Sequence, residues 1–255
     1  SQNTTRNLTI PYWGNFLSPS VNSNGVLNAA SFSSGSARVA AGSLISIFGT
    51  QMTAGATAYA SSIPLPTSLA GMRVVIGGTQ APLLYVSPTQ INAQVPQEVA
   101  GRTLTTLQIF LNGVGGPIAP INLASTGPGI FAVNQAGSGR GAILHSASHN
   151  EVSSSDPAKP GEILAVYVNG LGATTPSVAT GQAASSNPTS VVNVMPSAFI
   201  GGVAATVRFA GLAPSFVALY QVNIEVPATA PVGDDALLLI SNGVASNPVT
   251  VSIGR

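Results

Sequence analysis

The sequence predicts an all-β fold: two tandem immunoglobulin-like β-sandwich domains preceded by an extended N-terminal strand. Three observations carry this. Apolar runs are of strand length and bounded by turn residues, no helical spacing is sustained, and one ordered series of phrases occurs twice. Turn signals at roughly eight- to twelve-residue intervals between such runs are the pattern of a sandwich. The 28 Gly and 19 Pro supply that punctuation, which makes a mostly helical fold a poor fit.

Residues 1–26 come first, as an extension outside the repeated unit. Within it, "TRNLTIPYW" at 5–13 puts Arg6, Leu8, Ile10 and Tyr12 on one side and Thr5, Asn7, Thr9 and Trp13 on the other, the alternation of a strand with one largely apolar face. Pro11 confines such a strand to an edge or an interrupted ladder. The expectation is a donor strand, with Arg6, Leu8, Ile10, Tyr12 and Trp13 entering a neighbouring subunit and "SPSVNSNG" at 18–25 serving as the linker. Folding back onto its own domain is the alternative. Asn3 and Asn7 stand in N-x-T sequons, which in an exposed leader are sterically open to sugar.

The first sandwich is expected over 27–126, with strands in "SLISIFG" (43–49), "MRVVIGG" (72–78), "QINAQVP" (90–96) and "TLQIFLNG" (106–113). The second, over 127–255, repeats the order with "EILAVYVNG" (162–170), "AFIGG" (198–202), "QVNIEVP" (221–227) and "DALLLISNG" (235–243). Drift of the spacing between counterparts is what small loop insertions produce, so the chain reads as a tandem duplication. Its boundary is placed near "STGPGIFAVNQ" at 125–135, where Gly and Pro interrupt two patterned blocks.

The most similar pair of phrases is "QINAQVP" and "QVNIEVP". Gln90, Asn92 and Gln94 alternate with Ile91, Ala93 and Val95, and Gln221, Asn223 and Glu225 alternate with Val222, Ile224 and Val226. Each is a half-buried strand stopped by Pro96 or Pro227, which cannot donate to a ladder. A functional reading, in which the amide row binds sugar or a neighbouring subunit, stands beside the structural one.

Composition narrows the function. Charged residues are 6% of the chain, and Lys159 is the single lysine; ordinary soluble proteins carry roughly 25%. Eight basic against seven acidic residues give a net charge of +1, with no basic stripe to meet a phosphate backbone, so nucleic acid is excluded as a partner. Net charge near zero removes self-repulsion and favours a homo-polymer. The absence of Cys removes disulfides, thiolate metal sites and a Cys nucleophile together. The chain begins Ser1-Gln2, as a protein exported by a cleaved signal peptide would, and the expected location is extracellular or the cell surface. No membrane span is expected, since no run reaches about 18 apolar residues.

"LNAASF" (27–32), "GSLISIFGT" (42–50), "PLPTSLAGMRVVIGG" (64–78), "APLLYVSPTQINAQVP" (81–96), "GPGIF" (127–131), "GRGAILH" (139–145), "PAKPGE" (157–162), "NGLG" (169–172) and "FAGLAPSFVALYQVNIEVP" (209–227) resemble the uncharacterised Solibacter-type C-terminal domain family. That family is similar to the IPT/TIG branch of immunoglobulin-like folds. The resemblance runs from Leu27 to Ile253 and implies a secreted or surface bacterial protein; it brings no catalytic residues.

Candidate chemistry is sparse. His145 and His149 have the spacing of a metal pair, with Glu151 and Asp156 close in sequence, yet they stand among Ser and Asn and are expected in a solvated hairpin as ordinary surface residues. No G-x-S-x-G elbow supports a Ser-His-Asp site, and "GSGRG" at 137–141 lacks the Lys-Ser/Thr ending of a phosphate loop. Asp234 and Asp235 are expected in a turn before a strand. No enzyme, cofactor or metal is indicated. Most aromatics fall inside strand patterns and are expected to fill cores, with Tyr12 and Trp13 as exceptions. Two readings of function remain: a self-assembling subunit of a surface filament or coat, joined by strand donation, and a monomeric secreted adhesion or polysaccharide-binding module.

Overall fold

The computed structural model describes residues 18–33 and 39–255. Ten strands form the first half: β1 (Ser20–Asn28), β2 (Leu44–Thr50), β3 (Ala58–Tyr59), β4 (Met72–Ile76), β5 (Thr79–Gln80), β6 (Leu83–Val86), β7 (Gln90–Gln94), β8 (Leu104–Leu111), β9 (Val114–Gly115) and β10 (Ala119–Asn122). Eleven form the second: β11 (Gly129–Ile130), β12 (Ile143–His145), β13 (Ile163–Asn169), β14 (Thr174–Thr175), β15 (Val191–Val192), β16 (Ser197–Ile200), β17 (Val203–Leu212), β18 (Tyr220–Glu225), β19 (Gly233–Ser241), β20 (Val244–Ala245) and β21 (Val249–Ile253). No helix among the described residues is long and apolar enough to cross a membrane.

The first sandwich faces a sheet ordered β1-β2-β7-β6-β3 with one ordered β10-β8-β4-β5. The second repeats both orders. β11 and β12 pair with β13, followed by β18 and β17, while β21, β19, β16 and the start of β17 make the opposite layer. Because β17 runs unbroken through both layers, the two sheets are continuous there. Local chemistry repeats as well. Asn112-Gly113 and Asn242-Gly243, both pairs at positive φ, turn the β8–β9 and β19–β20 hairpins, as the twist of two-residue hairpins demands.

Period-two alternation builds the cores. Met72, Val74 and Ile76 of β4 and Tyr220, Val222 and Ile224 of β18 point inward and are buried. One apolar cluster fills each sandwich. The segment 18–25, expected as a linker, is instead mostly the start of β1: Ser20 pairs with Thr50 and Val21 with Gly49, and a bulge then carries the strand to Val26. Its polar residues suit an edge strand with one solvated side. Asp234 and Asp235, expected in a turn, lie inside β19 opposite Ser252 and Val251.

The two sandwiches are joined by buried amides. Asn169 Nδ2 donates to Leu44 O (2.8 Å) and Asn28 Oδ1 (3.0 Å), and Asn169 Oδ1 accepts from Leu44 N–H (2.8 Å). Asn28 Nδ2 donates to Gly127 O (2.8 Å), and Gly181 N–H donates to Gln94 Oε1 (2.7 Å). Beside them Leu44, Val217 and Ala218 form a small apolar cluster, packed by Leu65, Leu84 and Phe131. Asn28 and Asn169 are fully buried, so their polar groups require these partners.

Candidate functional site

The repeated strand supplies the first polar row. Gln90 and Asn92 lie on the half-exposed face of β7, and Gln90 Nε2 donates to Asn92 Oδ1 (2.8 Å), which also accepts from Ser46 Oγ (3.1 Å). That leaves Gln90 Oε1 and Asn92 Nδ2 without partners among the described residues. Reversing both amides would still leave one carbonyl and one NH2 group.

Aromatic rings flank the row because of a register shift. Leu83 pairs with Ala93 but Tyr85 pairs with Asn92, so Leu84 is an extra residue and Tyr85 is carried to the side of the amides. Tyr85 in turn pairs with Tyr59 on the two-residue edge strand β3, with ring centroids 4.9 Å apart and planes inclined by 49°. Tyr59 is 72% exposed. Leu65 and Leu84 border the cluster at the domain junction, and Gln135, from the second half, closes one side. The result is an open groove of about 460 Å³ with no charged residue in its lining. An aromatic face for apolar C–H groups, beside paired donors and acceptors and without net charge, is suited to a neutral polyhydroxylated ligand.

The expected interface residues Arg6, Leu8, Ile10, Tyr12 and Trp13, and the sequons at Asn3 and Asn7, lie outside the described residues. The His cluster departs from expectation. His145 is not a surface residue: it is 6% exposed, its Nδ1 is bonded to Glu162 Oε1 and its Nε2 to Asp156 O (3.1 Å), with Asp156 Oδ2 at 3.7 Å. Pairing of β12 with β13 buries it, since His145 stands opposite Leu164 and close to Glu162. Burial alone would lower its pKa, but the Glu162 hydrogen bond, the Asp156 carbonyl and the charges of both carboxylates outweigh it and hold the pKa above the ordinary value. His149 is exposed in the following turn, and Glu151 pairs with Arg140 at 2.8 Å. No group of three metal-ligating side chains exists among the described residues.

The sequence reading does not single out Tyr59 and Tyr85, which line this groove. In sequence, an aromatic between small residues reads as core; its exposure is decided by the edge position of β3. The signal that could have found them was the overlap of "LLYVSPTQIN" with an alternating amide strand, where Tyr85 precedes the row by a hairpin.

The IPT/TIG domain family matches residues 30–124. Among solved structures, the chain is similar to SGBP-B of the Bacteroides ovatus mixed-linkage glucan utilization locus, solved in complex with a mixed-linkage heptasaccharide (10% identity, TM-score 0.31, covering 86% of this chain). It is also similar to SGBP-B from a complex xyloglucan utilization locus in Bacteroides uniformis (13%, TM-score 0.26, covering 92%). A third is domains 5-6 of the S-layer protein SbsC (14%, TM-score 0.27, covering 92% of this chain and 98% of that one). The chain spans 44% of the Bacteroides ovatus protein's length and 49% of the Bacteroides uniformis protein's. No curated protein matches the sequence. An IPT/TIG immunoglobulin-like domain is present at residues 30–124.

Proposed function

We propose that the two sandwiches, residues 20–126 and 127–255 with β1 counted whole in the first, act as one rigid, extracellular, non-catalytic module that binds a neutral polysaccharide in the Tyr59–Tyr85 groove. Membership of the Solibacter-type family, export by a signal peptide and display at the cell surface are part of the same proposal. The observation that carries it is the junction of two tyrosines in tilted contact with an amide pair holding one open acceptor and one open donor group, in a groove lined by uncharged residues. A pyranose lays its apolar face on a tyrosine while vicinal hydroxyls meet the two amides. Native electrophoresis in gels containing mixed-linkage glucan, xyloglucan, galactomannan or dextran tests it. Retardation on at least one polymer, weakened about tenfold by Tyr59→Ala (on the order of 1.4 kcal/mol), is the expected result. Unretarded wild-type protein on all four overturns the proposal.

Self-assembly by strand donation is the second reading, favoured by a cleft of about 140 Å³ between β1 and β10, the edge strands of the two layers of the first sandwich. Val21, Val26, Val39, Ala119 and Ile121 line it, and Pro19, at the start of the described chain, lies against Gly116 just before β10. The apolar side of 5–13 in a second copy is the occupant proposed. Because β1 begins at Ser20, the deletion that tests this removes residues 1–17 only. Loss of polymer in sedimentation, restored by no other change, supports donation; polymerisation of the truncated protein overturns it.

A further inference from the structure

The duplication reproduces the binding geometry as well as the fold. Gln221 Nε2 donates to Asn223 Oδ1 at 2.8 Å, the same internal bond at the same length as in the first copy. The flanking rings hold equivalent ladder positions. Phe48 stands opposite Gln90 and Tyr167 opposite Gln221; Tyr85 stands opposite Asn92 and Phe209 opposite Asn223. Even the device that delivers the second ring is repeated, since β17 shifts register between Val207 and Phe209 as β6 does between Leu83 and Tyr85.

The patch is also prepared for its ring. Phe209 Cζ lies 2.7 Å from where a Cβ on Gly211 would stand, so the ring extends over the bare backbone of Gly211, which faces Gln221. Tyr167, Phe209, Gln221 and Asn223 are all partly exposed, and Gln221 Oε1 and Asn223 Nδ2 have no partners among the described residues. One rim carries charge, but it is neutralised: Arg208 Nε donates to Glu225 Oε2 at 2.9 Å. The counterpart of Glu225 is Gln94, whose carbonyl is taken by Gly181 N–H at the domain junction. The first copy therefore uses that position to hold the second half, and the second copy leaves it at the surface.

From this correspondence we infer a second neutral-glycan site on β13, β18 and β17, formed by Tyr167, Phe209, Gln221 and Asn223. This rests on the reading of the first groove. The second site lacks the counterparts of Tyr59 and Gln135, so it is the weaker of the two, and a long polymer engages both with a gain in avidity that a short oligosaccharide does not receive. Polymer binding is then more sensitive to loss of the second site than binding of a hexasaccharide cut from the same polymer.

The experiment compares full-length wild type, Tyr59→Ala/Asn92→Ala, Gln221→Ala/Asn223→Ala and the combination of both pairs, in gels containing the polymers named above. Thermal melting confirms that each variant folds. Phe209→Leu, which keeps apolar volume over Gly211 while removing the ring, is an independent probe of the second site. Expected are partial retardation of each double variant, at least a threefold weakening by Gln221→Ala/Asn223→Ala, a similar effect of Phe209→Leu, and no retardation of the combined variant. If the second-site variants match wild type while Tyr59→Ala/Asn92→Ala abolishes retardation, the inference fails and the groove stands. The reverse pattern sustains the second site and removes the groove. Absence of wild-type retardation on every polymer overturns both.

Discussion

Asn169→Ala tests whether the buried amides hold the two sandwiches together. The side chain makes three hydrogen bonds, two to the backbone of Leu44 at 2.8 Å and one to Asn28 at 3.0 Å, and the residue is 0% exposed. At a net value of about 0.5–1.5 kcal/mol each, three bonds amount to about 1.5–4.5 kcal/mol. Leu44 N–H is also left facing a cavity, which moves the expected loss to about 3–4 kcal/mol. At about 2–4 °C per kcal/mol for a chain of this size, melting falls by about 6–16 °C. Calorimetry is the assay, because a weakened junction also separates the melting of the halves into two transitions. Asn28→Ala is predicted to be non-additive with Asn169→Ala, since the pair share a bond. Asn169→Asp keeps an acceptor for Leu44 N–H but sets a carboxylate oxygen against Leu44 O, and is predicted to cost at least as much. A loss under about 1 kcal/mol with one sharp transition refutes the argument.

His145→Gln is predicted to change the pH profile of stability. The folded pKa is raised, so the stabilisation by Glu162 and Asp156 is complete below the ordinary value of about 6.5 and is lost as pH rises through the folded value. The melting difference between wild type and His145→Gln should shrink across that interval; a constant difference counts against the contact. His145→Ala, which removes two partly buried hydrogen bonds, should cost about 1–3 kcal/mol in urea denaturation, and a neutral result would return the residue to the surface role read from its sequence. Gly211→Ala places a Cβ 2.3 Å from Ser190 O, an atom already accepting from Leu212 N–H, and is predicted to cost about 1–3 kcal/mol; unchanged melting would mean the Phe209 ring and β15 yield freely.

What was legible in the sequence was whatever depends on neighbours along the chain. Alternation of Gln90-Ile91-Asn92-Ala93 gave a half-buried strand because side chains on a strand change face at every residue. Asn112-Gly113 and Asn242-Gly243 close two of the apolar runs expected as strands, and the chain turns there because two consecutive positive φ values suit few other pairs. What failed depends on distant partners. His145 was read from Ser, Asn and His149 beside it, but its burial comes from β13 and its charge environment from Glu162, 17 positions away. The segment 18–25 looked like a linker because polar edge strands and linkers share a composition; only β2 distinguishes them. Tyr59 lies in a strand of two residues, too short for any period to register.

The amides show why residue type alone could not locate the site. With so few charges available, Asn and Gln perform structural and surface work in the same chain, and the difference lies in how completely they are satisfied. Asn169 uses both ends of its amide, and so does Asn247, whose Oδ1 accepts from Ile130 N–H while Nδ2 donates to Ile130 O and Gly137 O. Each links segments more than a hundred positions apart, and for the fully buried Asn169 burial leaves no alternative to full satisfaction. Gln90 with Asn92, and Gln221 with Asn223, satisfy only each other's inner atoms, which fixes their orientation and keeps the outer carbonyl and NH2 turned to solvent. An amide pair immobilised in this way loses less rotamer entropy when it meets hydroxyl groups than two free side chains would. Half-satisfaction on an aromatic-flanked strand, repeated at the same ladder positions, is therefore the feature that separates the amides proposed to bind from those that hold the fold.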